Sequence, residues 1–227
     1  RRLTYDDGAE QLDAWSPDGQ WIYFSSSSQD IAGMQDVYRV RASGGTPMRV
    51  AGDRYASEYW AAPSPDGRRL AITARGTTAG QWWRRGSSHL DESEIWTVTL
   101  DAAPSYARVS TGARPGKGRD VWPLWTPDGI ALIYASDRGG TENLYRQRVA
   151  GGDAEALTRF TDGRVLWPRL SRDGGTVYFE RDFRVWALKL DGSAPTPLAF
   201  TLRAAAPRSS GERLTLTTGV QEFALSP

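Results

Sequence analysis

Ser16-Pro17-Asp18-Gly19, Ser64-Pro65-Asp66-Gly67, Thr126-Pro127-Asp128-Gly129 and Ser171-Arg172-Asp173-Gly174 repeat one pattern, and Ser226-Pro227 begins it a fifth time. Proline presets φ for the second position of a tight turn, and Asp-Gly tolerates the positive φ that such turns require. Each copy is therefore expected to join two antiparallel strands. The flanks agree. Leu12 to Trp15, Trp60 to Pro63, Val121 to Trp125, Val165 to Leu170 and Val220 to Leu225 precede the turns. Trp21 to Phe24, Leu70 to Ala74, Ala131 to Ala135 and Thr176 to Phe179 follow them. All are short apolar runs bounded by turn residues, the mark of strands.

Further from the turn the pattern continues. Tyr38, Trp96, Tyr145 and Trp186 occupy one place in a third strand, with Val40, Val98, Gln147 and Leu188 two residues on and Arg39, Thr97, Arg146 and Ala187 between. Period-two alternation puts the first two sets on one face and the third set on the other. Met48 to Val50, Ala107 to Val109, Ala156 to Thr158 and Thr196 to Ala199 close each unit as a fourth strand. Four antiparallel strands per unit, repeated every 45 to 62 residues with an aromatic column, predict an all-β chain built as a β-propeller of four-stranded blades. A two-sheet sandwich would not produce self-similarity at this period. The whole of residues 1–227 reads as one propeller segment, with blade units at about 5–50, 59–110, 121–158 and 165–199 and partial blade strands at 1–4 and 220–227. Two arrangements of the ends are open: a slice through a longer ring, or pairing of 1–4 with 220–227 as an incomplete fifth blade.

Composition narrows the chemistry. Lys and Arg number 28 against 27 Asp and Glu, so the net charge is +1 and no electrostatic footprint for nucleic acid is visible. Only Lys117 and Lys189 are lysines. Cysteine is absent, which removes disulfides, thiolate metal sites and thiol nucleophiles. No run of 18 apolar residues offers a membrane-spanning helix, and the chain does not open on a signal-peptide pattern. His89 is the one histidine; its neighbours Ser87, Ser88 and Asp91 do not have triad spacing. No catalytic residue, metal site or cofactor is expected.

One face of the propeller carries the variation. The Pro-Asp-Gly turns, together with Ser43-Gly44-Gly45, Gly151-Gly152-Asp153 and Asp191-Gly192-Ser193, make the other face uniformly short. Long insertions at 75–94, 110–120 and 200–219 all open on the first. Insertions gathered on one face of a repeat array mark a candidate binding face. The insertion at 75–94 carries Trp82, Trp83, Arg84 and Arg85, residue types that dominate binding hot spots. Asp13, Tyr59, Asp120, Trp122 and Trp167 stand at or near the beginnings of the first strands and are expected at the same channel mouth. Aromatic surface, paired cations and two carboxylates suit an extended peptide, with Arg84 or Arg85 anchoring a C-terminal carboxylate. The competing reading of the insertion is an intramolecular plug, its tryptophans packed on the propeller and its arginines paired to Asp91 and Glu92.

Trp15-Ser16-Pro17-Asp18-Gly19 through Tyr38 and Gly44-Gly45 resembles the TolB-like propeller repeat across residues 1–199. A narrower resemblance is carried by Asp120-Val121-Trp122-Pro123-Leu124-Trp125, Ser136-Asp137-Arg138-Gly139-Gly140-Thr141-Glu142-Asn143-Leu144-Tyr145, Val165-Leu166-Trp167-Pro168 and Gln221-Glu222-Phe223-Ala224-Leu225-Ser226-Pro227. These segments look like the N-terminal propeller of tricorn-type serine peptidases. That resemblance implies a six-bladed ring that filters or docks peptides for a catalytic domain of the same parent chain, whose nucleophile and histidine lie in that later domain. Related propellers also precede prolyl-oligopeptidase-like and amidohydrolase domains. The TolB likeness implies the alternative, a periplasmic or otherwise extracytoplasmic scaffold that holds a protein partner.

Overall fold

The structure is a computed structural model describing residues 2–53, 55–76, 92–101, 103–110 and 118–201. Its strands are β1 (Glu10–Trp15), β2 (Trp21–Ser26), β3 (Asp36–Arg41), β4 (Met48–Ala51), β5 (Ala56–Pro63), β6 (Arg69–Gly76), β7 (Glu94–Thr99), β8 (Tyr106–Arg108), β9 (Asp120–Trp125), β10 (Ala131–Ser136), β11 (Asn143–Arg148), β12 (Glu155–Ala156), β13 (Leu166–Leu170), β14 (Thr176–Arg181), β15 (Arg184–Lys189) and β16 (Thr196–Pro197). They form four antiparallel sheets in sequence order, β1-β2-β3-β4, β5-β6-β7-β8, β9-β10-β11-β12 and β13-β14-β15-β16. The fold is the expected all-β propeller, and the described residues contain no helix. The blades pack in order through their first strands: β5 on β1 and β2, β9 on β5 and β6, β13 on β9 and β10. That arrangement gathers β1, β5, β9 and β13 along the inside of the array.

The repeated turn is held by more than proline and glycine. In the first copy the Ser16 hydroxyl donates to the Asp18 carboxylate and accepts from the Trp21 amide at 2.9 Å, while Asp18 accepts from the Gln20 amide at 3.0 Å. Ser64, Thr126 and Ser171 make the same bridges. These donors hold the carboxyls of Asp18, Asp66, Asp128 and Asp173 below the usual carboxylate range. The fourth turn keeps its shape with Arg172 in place of proline because the Ser171–Asp173 bridge and Gly174, at φ 71°, already specify it. Proline has a second use: a Cβ built on Gly174 would stand 2.0 Å from Pro127 Cγ, so the turn of the fourth blade lies directly on that of the third.

Apolar layers fill the spaces between blades. Tyr23, Val37, Ala61, Leu70, Ile72 and Val98 join the first and second, Ala71, Ile95, Trp125, Leu132 and Tyr134 the second and third, and Val121, Trp122, Ile133, Leu144, Val177 and Phe179 the third and fourth. The third-strand column takes its expected place: Tyr38 and Tyr145 are buried, and Trp96 and Trp186 are half-buried against the same layers. Val40, Val98, Gln147 and Leu188 are buried as well. Gln147 is the one polar member, and it is satisfied: its Oε1 accepts from the Tyr134 hydroxyl at 2.6 Å and its Nε2 donates to the Gly152 carbonyl at 2.9 Å.

Three of the fourth strands, β8, β12 and β16, end earlier than the apolar pattern suggests, while β4 runs one residue further, to Ala51. β8 stops at Arg108 and β12 at Ala156 because a hydroxyl takes over from the backbone ladder: Ser110 accepts from the Ile95 amide at 2.8 Å, and Thr158 from the Leu144 amide at 2.9 Å. Residues 2–4 form no strand; Leu3 packs on the Phe24, Tyr38 and Val40 cluster. The segment 220–227 lies outside the described residues.

Candidate functional site

Every first strand contains a one-residue bulge. Leu12 and Ala14 flank it in β1, Tyr59 and Ala62 in β5, Val121 and Leu124 in β9, and Leu166 and Arg169 in β13. A bulge bends its strand and re-aims a side chain. In three blades the re-aimed residue is tryptophan, and its backbone is left-handed: φ is 53° at Trp60, 58° at Trp122 and 51° at Trp167. Such a conformation costs a bulky residue about 1–3 kcal/mol and persists only where its surroundings enforce it. Here the surroundings are the other two indoles. Trp60 and Trp122 have ring centroids 4.8 Å apart, Trp122 and Trp167 5.2 Å, and Trp60 and Trp167 6.3 Å. Trp122 is only 3% exposed and is capped by the Arg119 guanidinium 5.0 Å from its ring centroid, whereas Trp167 is 50% exposed.

Beside this triad lies a cleft of about 400 Å³, lined from all four first strands by residues including Asp13, Trp15, Trp60, Trp122, Pro123 and Arg169. The Asp13 carboxyl accepts from the Ser25 hydroxyl through Oδ2, and among the described residues its enclosed Oδ1 meets no donor in good hydrogen-bond geometry. Burial pushes Asp13 up to about 6, against the opposing pull of Ser25, the Ala61 and Trp60 amides and Arg169. The indole N–H groups of Trp60 and Trp122 are likewise buried without a partner among the described residues. Among the described residues no group of three or more His, Cys, Asp or Glu side chains converges as metal ligands do.

The residues singled out from sequence are distributed unevenly. Asp13 and Trp122 line the cleft, Trp167 closes on Trp122, and Tyr59 meets Trp60 edge-on at 4.7 Å. Asp120 does not line it. Its carboxylate is buried within the third blade, 3.4 Å from Arg138, which also donates to the Tyr134 hydroxyl at 2.6 Å. Trp82, Trp83, Arg84 and Arg85 lie outside the described residues, as does His89. Trp60, Trp15 and Arg169 escaped the sequence reading. A signal for Trp60 was available: counted back four residues from the turn hydroxyl, Trp60, Trp122 and Trp167 fall in one column, with Leu12 as the fourth member.

Radial four-stranded blades around an axial, tryptophan-lined cleft define a β-propeller with a candidate ligand site at its centre. The chain belongs to the family of the tricorn protease N-terminal β-propeller domain, whose profile matches residues 1–194. An uncharacterized protein of Agrobacterium fabrum, Atu1656, is 26% identical over 133 residues, covering 59% of this chain and 42% of that protein. Among solved structures, TolB from Acinetobacter baumannii superposes with a TM-score of 0.66 at 21% identity, over 86% of this chain and 45% of TolB. A puromycin-hydrolyzing peptidase of Mycobacterium tuberculosis gives a TM-score of 0.58 at 19% identity, over 79% of this chain and 29% of the peptidase. The chain thus spans less than half the length of each of these relatives, and the structural likenesses describe the fold alone.

Proposed function

We propose that this chain is a non-catalytic propeller domain that binds or gates peptide substrate for a tricorn-like serine peptidase, with the catalytic domain in the same parent protein and an extracytoplasmic location. The observation that carries the reading is the axial cleft, where three strained tryptophans converge beside an acid and a base. Flat indole faces pack on side chains of many shapes, and β1, β5, β9 and β13 are edge strands of their own sheets, the kind of edge along which an extended ligand can lie. In this proposal Trp82, Trp83, Arg84 and Arg85 extend the rim, with Arg84 or Arg85 holding a C-terminal carboxylate. The likeness to TolB favours a second reading, a scaffold whose face or channel holds a folded protein partner.

Titration of the purified chain with a library of extended peptides, followed by tryptophan fluorescence, tests the first reading. Saturable binding without peptide turnover is expected. Affinity should fall by about tenfold when the peptides are amidated or when Arg84→Ala/Arg85→Ala is introduced, the effect of losing a charge-assisted contact. Indifference to both changes removes the anchor role and leaves the insertion as a plug. Failure of every peptide to bind removes the peptide reading itself.

A further inference from the structure

Two positions in the first strands depart from the repeat. Three residues before the turn hydroxyl stand Asp13, Ala61, Pro123 and Pro168, and two residues before it Ala14, Ala62, Leu124 and Arg169. The strand register confirms the second equivalence, since these four residues pair with Tyr23, Ala71, Ile133 and Tyr178, one after another in the same place of each blade. Small or apolar side chains satisfy the fold at both positions in the remaining blades. The acid in the first blade and the base in the fourth are therefore not demands of the architecture.

Both line the axial cleft. Arg169 is close enough to lower the Asp13 pKa by its charge, yet among the described residues no ion pair joins them. Among the described residues the Arg169 guanidinium donates only to the Pro168 carbonyl of its own strand, at 3.2 Å, and Arg169 is exposed. Among the described residues Asp13 Oδ1 is enclosed and meets no donor in good hydrogen-bond geometry, although the Trp60 and Ala61 amides lie near the carboxyl. The same cleft is lined by Trp60, Trp122 and Pro123. A negative and a positive side chain in one cleft with apolar walls complement a ligand that carries both charges and an apolar side chain.

We propose that this cleft binds the zwitterion of a short peptide or free amino acid, its ammonium at Asp13, its carboxylate at Arg169 and its apolar side chain against Trp60 and Trp122. The proposal rests on the peptide-binding reading above and narrows it to ligands with both ends free. A volume of about 400 Å³ admits a ligand of one or two residues and excludes a folded partner. The two charges fix orientation, and the indoles supply contact area that tolerates many side chains.

Isothermal titration of the purified chain provides the test, with alanyl-phenylalanine, its N-acetyl form, its C-terminal amide, the doubly blocked form and free phenylalanine as probes. A longer extended peptide blocked at both ends serves as the control for the broader reading. Alanyl-phenylalanine should bind saturably. Blocking either end should weaken it by at least about tenfold, as expected when one charge-assisted hydrogen bond is lost. In Asp13→Asn acetylation should have no further effect, and in Arg169→Gln amidation should have none; both variants should retain the wild-type circular dichroism spectrum. Comparable binding of free phenylalanine assigns the site to amino acids, and weaker binding assigns it to dipeptides, each in keeping with the proposal. Equal affinity for the free and doubly blocked dipeptide overturns it, and so does unaltered binding in both variants. If only the long blocked peptide binds, this proposal falls and the peptide reading stands; if nothing binds, both fall.

Discussion

Trp122→Ala should destabilise the protein by about 3–5 kcal/mol, the range for removing a large buried aromatic side chain. Three features place the effect at that level. The indole is almost wholly enclosed, at 3% exposure. It belongs to the apolar layer that joins the third and fourth blades, so the cavity opens between blades rather than inside one. It also packs at a tilt against both Trp60 and Trp167. Truncation to alanine leaves the unfavourable φ of 58° in place while removing the contacts that enforce it. For a chain of this size the melting temperature should fall by about 10 °C. Trp167→Ala is the internal control, because that side chain has the same backbone conformation but is half exposed; its cost should be smaller. Equal losses for the two variants in urea unfolding would show that the triad does not stabilise the structure through burial at Trp122.

The second large effect concerns a carboxyl at the junction of the first two blades. The Glu58 amide donates to the Gln35 carbonyl at 2.6 Å, the residue is 1% exposed, and among the described residues its Oε2 has no hydrogen-bond partner. Burial, then the charges of Asp36 and Asp53, push Glu58 up to about 8 from the ordinary 4.5, although Tyr106 and the Asp53 backbone pull the other way. Tyr106, whose hydroxyl accepts from the Gly52 amide at 3.0 Å, is itself pushed up to about 12 by burial and by Glu58. The folded state therefore prefers the protonated acid. Its contribution to stability is complete below pH 4.5, declines as the unfolded chain ionises, and is lost once pH passes about 8. Glu58→Gln keeps the shape and removes the ionisation. The variant should match the wild type at pH 4 and exceed it by up to about 3 kcal/mol at pH 7. A stability difference that stays constant between pH 4 and pH 8 would contradict a buried neutral Glu58.

How far the sequence carries depends on whether a residue acts within its own turn or through a distant partner. Ser16-Pro17-Asp18-Gly19 and its copies are local devices, and they led directly to the strand pairs and the blades. Tyr38, Trp96, Tyr145 and Trp186 were legible through their register, because alternation assigns a face without knowledge of the neighbouring blade. The left-handed tryptophans were not legible. No local rule selects Trp at positive φ, and the conformation exists only because Trp60, Trp122 and Trp167 come from different blades and enforce one another. Asp120 illustrates the converse. Its place at the beginning of β9 suggested the channel mouth, but Arg138, 18 residues later, holds its carboxylate inside the blade. Arg169 reads as an ordinary strand residue until β13 is set beside β1 across the cleft. The fold is encoded by neighbours in sequence, and the candidate site by neighbours in space.

The central claim, that short peptides enter the axial cleft, is tested most directly by the indole N–H resonances of the ten tryptophans in a proton–nitrogen correlation spectrum. Assignment by single Trp→Phe variants distinguishes the cleft residues Trp15, Trp60 and Trp122 from Trp21, Trp96 and Trp186, which do not line the cleft. Titration with alanyl-phenylalanine should move the three cleft signals together along one saturation curve and leave the other three in place. Cleft signals that stay fixed at saturating peptide, or shifts confined to Trp21, Trp96 and Trp186, would contradict the account.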